Sequence, residues 1–135
     1  MDQGGKYYIH RKDLLFPELS FRVNGVLIDV AKQLGGGHKE KYYQEAIRIG
    51  LHREKIPFKE QMYVPLTFDE QIVGKYFFDF YIENKIVLEI KRGEFIAASV
   101  INQTKQYLSA INCKLGILAC FTHGGVVIKR VVNEY

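Results

Sequence analysis

Thiols are scarce in this chain. Its two cysteines, Cys113 and Cys120, lie in the apolar stretch I-N-C-K-L-G-I-L-A-C-F and form no C-x-x-C pair. No thiolate metal site is encoded, and both read as reduced core or strand residues of an intracellular protein. His10, His38, His52 and His123 lack ligand spacing and read as surface or loop residues. No apolar run approaches membrane-spanning length, and the opening M-D-Q-G-G-K-Y-Y-I-H-R-K-D has no apolar signal core. The expectation is a soluble, cytoplasmic protein with no membrane partner. Gly35-Gly36-Gly37 is followed by no Lys-Ser or Lys-Thr, which excludes a Walker phosphate loop. A nucleophile elbow, a dinucleotide fingerprint, internal repeats and low-complexity segments are likewise missing.

What is present suits one domain. The 135 residues are 47% hydrophobic and 25% charged, enough for a real core. A formal charge of +4 tolerates a polyanionic partner without demanding one. Residues 1–20 mix Gly, Tyr and charge without a sustained period and are expected to form an N-terminal arm, leaving 21–135 as the domain.

Apolar spacing predicts a helix from Arg22 to Leu34, with Ser20 as its N-cap and the three glycines ending it. A second helix is expected from Lys39 to Lys55, with Tyr43, Ala46, Ile47, Gly50 and Leu51 inward. At 100° per residue Glu40 falls within the same arc and leans inward. Ile56-Pro57 ends that helix and the period shortens. Phe58 to Phe68, Val73 to Ile82 and Lys85 to Lys91 read as three strands, with Asp69-Glu70 a turn. Ala97, Val100, Ile101, Thr104, Leu108 and Ile111 mark a third helix, and strands follow at Lys114 to Phe121 and Val126 to Val132. The order ααβββαββ predicts an α/β (α+β) fold, a central mixed sheet of about five strands flanked by helices.

Asp79, Glu89 and Lys91 stand on strands that are otherwise apolar. Glu89 and Lys91, two apart, share a face, and a three-residue connection from Glu83 to Lys85 sets Asp79 opposite Glu89. Two carboxylates and the carbonyl of Ile90 are hard oxygen donors for Mg²⁺ or Mn²⁺, and Lys91 can orient a water or steady a phosphate. Glu40 could complete such a site through a water or by holding a partner residue. On the third helix Gln103 and Tyr107, four apart, share a face that borders a cleft; Gln103 could bond a phosphate or Lys91, and Tyr107 could pack beneath it or stack on a base. Lys39, Lys41, Arg48, Arg92 and Lys105 are candidates to hold a phosphate backbone.

These residues together resemble the GxxExxY family, itself similar to the restriction-endonuclease-like PD-(D/E)XK superfamily. The family's motif reads Gly37-His38-Lys39-Glu40-Lys41-Tyr42-Tyr43. The resemblance runs on through Q61-M-Y-V-P-L66, the Asp79 strand, V87-L-E-I-K91 and Q103-T-K-Q-Y107, covering roughly 21–130 in order. It implies a restriction-endonuclease-like core with Asp79, Glu89 and Lys91 at the catalytic positions, Glu40 as the acid of the preceding helix, and Gln103 and Tyr107 as an exonuclease-type Q-x-x-x-Y. By this resemblance the chain is a Mg²⁺-dependent deoxyribonuclease acting alone, as a homodimer or with a partner protein. Phe78 stands in place of the proline of the PD signature, and Phe77 where an arginine is common. The rival expectation is a module that keeps the fold and binds nucleic acid or protein without turnover.

Overall fold

Pro17 opens the first helix, because its fixed φ suits a first helical turn whose N–H needs no partner. The computed structural model describes residues 15–133, and this helix, α1, spans Pro17–Leu34. It therefore begins five residues before the expected start at Arg22. Phe16, in a left-handed conformation, occupies the N-cap. Ser20 is no cap; it is buried one turn inside and accepts a hydrogen bond from Arg130 Nη1 at 2.9 Å. Most of the expected arm, residues 1–14, lies outside the described residues.

Helix α2 spans Glu40–Arg53 and buries Tyr43, Ile47, Gly50 and Leu51. The strands are β1 (Phe58–Phe68), β2 (Gln71–Ile82), β3 (Ile86–Lys91), β4 (Leu115–Thr122) and β5 (Gly125–Val132), with helix α3 (Ala98–Ala110) between β3 and β4. They form one mixed sheet in chain order. Neighbours are antiparallel except β3 and β4, which run parallel and therefore need the α3 crossover. The expected order and strand number are both observed. Among the described residues no helix is long and apolar enough to cross a membrane.

The helices cover both faces of the sheet. Val23, Leu27 and Val30 of α1 and Ile47 and Leu51 of α2 pack on Phe80, Ile82, Leu88, Ile90 and Ile117. On the other face Leu108 of α3 packs with Val64, Phe78, Val87 and Leu118. Cys113 and Cys120 are free and buried, and burial raises both thiol pKa values.

One feature of the hairpin β1–β2 breaks strand periodicity. Phe78 and Phe80 are two apart, yet Phe80 lies under α1 and α2 while Phe78 lies under α3. The strand must turn about its axis at Asp79. Its neighbour turns at the same level: Glu60 reaches α2, Met62 packs on the α3 side, and Gln61 between them has φ 57°. Pairing steps from Glu60↔Phe80 to Met62↔Phe78, with no Gln61↔Asp79 pair. Beyond this turn the hairpin continues to Phe68 and Gln71, whereas β2 pairs with β3 only from Phe80 to Ile82.

Candidate metal-binding site and cleft

The turn at Asp79 places its carboxylate where β2 and β3 part. Their ladder ends at Phe80↔Leu88. In place of the next backbone pair, the two acids each take the other strand's amide: Asp79 N donates to Glu89 Oε1 at 2.9 Å, and Ile90 N donates to Asp79 Oδ2 at 2.8 Å. The side chains thus sit in the gap between strands, facing one another across the register that the three-residue connection predicts.

Their remaining oxygens are held from two different helical layers. Gln44 of α2 donates Nε2 to Asp79 Oδ1 at 3.0 Å. The Tyr76 hydroxyl donates to Glu89 Oε2, and its ring stacks on Tyr107 of α3 with centroids 4.0 Å apart. Lys91 Nζ lies 3.4 Å from Glu89 Oε2 and donates to Tyr76 Oη at 3.4 Å. Gln44 and Tyr76 were not anticipated. Gln44 follows Glu40 by one helical turn and so shares its arc, a signal that was available. Tyr76 was hidden, because strict alternation assigns residue 76 to the face of Phe80, and only the rotation at Asp79 brings it to Glu89.

Glu89 is 5% exposed. Burial first, and then the neighbouring Asp79 carboxylate, push its pKa up to about 7 despite the bonds from Tyr76 and Asp79 N. Burial, with the Glu89 bond second, also raises the Tyr76 hydroxyl. Two carboxylates facing each other with one lysine nearby leave the gap short of positive charge.

Glu40, at the first position of α2, lines a cleft of about 170 Å³ with Gly37, Ile90, Lys91, Arg92 and His123. Its carboxyl pKa is raised, chiefly by partial burial and then by Asp79, with Lys91 and Arg92 opposing. The cleft's rim follows from the glycines. Gly35 and Gly37 have φ of 73° and 87°, and a Cβ on Gly36 would stand 2.6 Å from the carbonyl oxygen of Thr122. The loop therefore presses on the β4–β5 turn. Tyr43 fixes it there, donating its hydroxyl to Gly35 O at 2.6 Å and stacking on Phe121 at 4.2 Å. His38 and His123 are exposed, as expected, and both line this cleft.

The fit to a divalent cation can be judged from the donors. Each oxygen of Asp79 and Glu89 already accepts one hydrogen bond, but a carboxylate offers about four lone-pair sites, so capacity remains. Mg²⁺ is commonly held by one or two carboxylates, with waters and substrate phosphates completing its shell. Asp79, Glu89 and the Ile90 carbonyl fit that pattern, and a cation would offset both the burial of the Glu89 carboxylate and its repulsion by Asp79. Among the described residues no three His, Cys, Asp or Glu side chains converge as a ligand set. Glu40, expected among the metal-holding residues, thus stands back from direct coordination with the other two.

The other expected residues divide. Tyr107 stacks on Tyr76, rather than beneath Gln103 as expected. Gln103 is exposed and, among the described residues, its side chain forms no hydrogen bond, to Lys91 or otherwise. Lys39 and Arg92 are exposed beside the cleft. Lys105 lies in a separate hollow with Gln106, Ser109, Val132 and Asn133, toward the opposite end of β4 and β5. Arg48, a candidate phosphate contact, is bonded to Glu45 and to both oxygens of Glu60.

A family model of the PD-(D/E)XK nuclease superfamily matches residues 17–131. Among solved structures, the crystal structure of SSO0001 is similar, with a TM-score of 0.56 and 16% identity over 71% of this chain and 50% of that one. At that identity the likeness concerns the fold, and the chain spans only half the length of that protein. No curated protein matches the chain.

Proposed function

Because the chain belongs to the PD-(D/E)XK nuclease superfamily, we propose that it hydrolyses phosphodiester bonds in DNA with the help of Mg²⁺ or Mn²⁺. Within the superfamily we place it in the GxxExxY branch, on Gly37, Glu40 and Tyr43. The observation that carries the reading is the interlocked pair Asp79 and Glu89, with Lys91 at its edge and Glu40 across the cleft.

Asp79, Glu89 and the Ile90 carbonyl would hold the ion. When bound, it supplies Lewis-acid stabilisation of the phosphate and an acidified water. Lys91 positions the attacking water and places its ammonium near the charge that develops on phosphate oxygens. Glu40, with its raised pKa, is suited to hold a proton or a water on the far side of the cleft. Tyr76 and Gln44 act through their neighbours, fixing the carboxylate rotamers as supporting groups around metal ligands do. Lys39 and Arg92 meet the phosphate backbone, while Gln103 on its exposed helix face is left for substrate contact.

Calorimetric titration of Mn²⁺ into wild type, Asp79→Ala and Lys91→Ala tests the assignment. Wild type and Lys91→Ala should bind the ion and Asp79→Ala should not; equal binding by all three sinks the site. Ion binding without cleavage of any DNA would return the chain to the non-catalytic reading.

A further inference from the structure

Beyond Asp79 the hairpin β1–β2 carries three exposed aromatic rings, Phe68 at its tip and the pair Tyr63 and Phe77 nearer the site. Tyr63 and Phe77 face each other in register, with ring centroids 5.4 Å apart and a 36° tilt. They remain 38% and 47% exposed. A cross-strand aromatic pair steadies a hairpin by a fraction of a kcal/mol, but nothing in that role keeps both rings open to solvent. The rotation at Asp79 decides which way they point. Past it Met62, Val64 and Phe78 turn toward α3, so Tyr63 and Phe77 turn to the side of α2. The Asp79 carboxylate reaches the same side, where Gln44 holds it. Two residues of strand span about 7 Å, so a planar group resting on Phe77 sits one short step from Asp79.

The charge around the rings fits an anion. Lys75, two residues before Phe77 and cross-strand from Pro65, is exposed on the same face and, among the described residues, forms no ion pair. Glu60, the acid closest along β1, is already bonded to Arg48. A lysine, two open rings and a carboxylate pair thus follow one another along the hairpin toward the cleft.

We propose that Tyr63 and Phe77 form a stacking platform for an unpaired base, with Lys75 on its phosphate, so that the substrate is single-stranded DNA or a single-stranded end. This rests on the nuclease reading above and narrows its substrate class. In a duplex the base faces are covered by their neighbours; an aromatic ring can take a base only when it is unstacked. Selectivity for single strands then follows from the platform itself.

The test is fluorescence anisotropy, without divalent ions, of a labelled oligothymidylate and of a duplex of equal length. Tyr63→Leu and Phe77→Leu keep apolar bulk and remove the aromatic face. Each should weaken oligothymidylate binding about tenfold or more, with duplex affinity unchanged and the melting temperature lowered by no more than about a few degrees. The chain has no tryptophan, so Phe77→Trp adds a single indole whose emission should be quenched by the oligonucleotide. Wild-type binding by both leucine variants, equal weakening on duplex, no binding by wild type, or an unquenched indole each overturns the proposal. So does a wild-type dimer in sedimentation that the leucine variants dissociate, which would make this face a contact between copies. Ring-dependent binding with no Mg²⁺-dependent cleavage leaves the platform standing and removes the nuclease reading instead.

Discussion

At the scale of residues, the site is a set of opposed requirements. Burial gives Glu89 a fixed position, and its cost is a carboxylate whose pKa reaches about 7 against an ordinary 4.5. The sign of the linkage follows. A raised folded-state pKa contributes stability that is present below about pH 4.5 and lost as pH rises through about 7. Glu89→Gln, which cannot ionise, should therefore gain stability relative to wild type as metal-free protein is brought from about pH 5 to about pH 8, by a few kcal/mol. Thermal melts of the two proteins across that range check it; parallel profiles would mean Glu89 is ionised at no cost. Tyr76 offers a second probe. Tyr76→Phe keeps the stack on Tyr107 but removes the hydroxyl shared by Glu89 and Lys91. Turnover should fall about 10- to 100-fold with the melting temperature near wild type. Activity at the wild-type level would leave that hydroxyl without a role in the site.

At the scale of elements, the loop between α1 and α2 sets the rim of the cleft. Gly36→Ala would drive a Cβ against the backbone of Thr122, where no side chain can swing aside. It should cost about 1–3 kcal/mol, read as a lower melting temperature, and should weaken activity by shifting the loop from the β4–β5 turn. A neutral substitution would show that the contact yields easily. Much of this level was legible in the chain. β1 runs from Phe58 to Phe68 as its alternation predicts, the glycines end α1, and the crossover helix falls between the expected strands. The start of α1 differs from the expected one because Ser20 has the chemistry of a cap, whereas Pro17 carries the better signal. Asp79, Glu89 and Lys91 stood out because charge is rare in such strands. Tyr76 did not, since the rotation at Asp79 and Gln61 is a property of three strands together. Gln61 reaches its left-handed φ without the glycine or asparagine that would announce it. Gln44 shows the same limit: a helix position fixes its direction but not the strand it meets.

At the scale of the molecule, the architecture explains why these side chains meet. Helices α1 and α2 seal one face of the sheet and α3 the other. The acids lie in the gap between β2 and β3, reached by α2 through Gln44 and by α3 through the Tyr107–Tyr76 stack. One opening leads to the cleft of Glu40 and Arg92, and the hairpin extends beyond it with Tyr63 and Phe77 uncovered. A modest formal charge of +4 gives only weak general attraction to a polyanion, so under the proposed function contacts near the site would do most of the holding.

Asp79 and Glu89 are proposed as a centre for metal-dependent phosphodiester cleavage. Its most direct test is cleavage of end-labelled single-stranded DNA by wild type and Asp79→Ala, purified in parallel, with and without Mg²⁺. Wild type should give Mg²⁺-dependent products and the variant a loss of at least about a thousandfold, on the scale of removing a charged group that acts in the transition state. Equal cleavage by both proteins, or none by wild type, would contradict it.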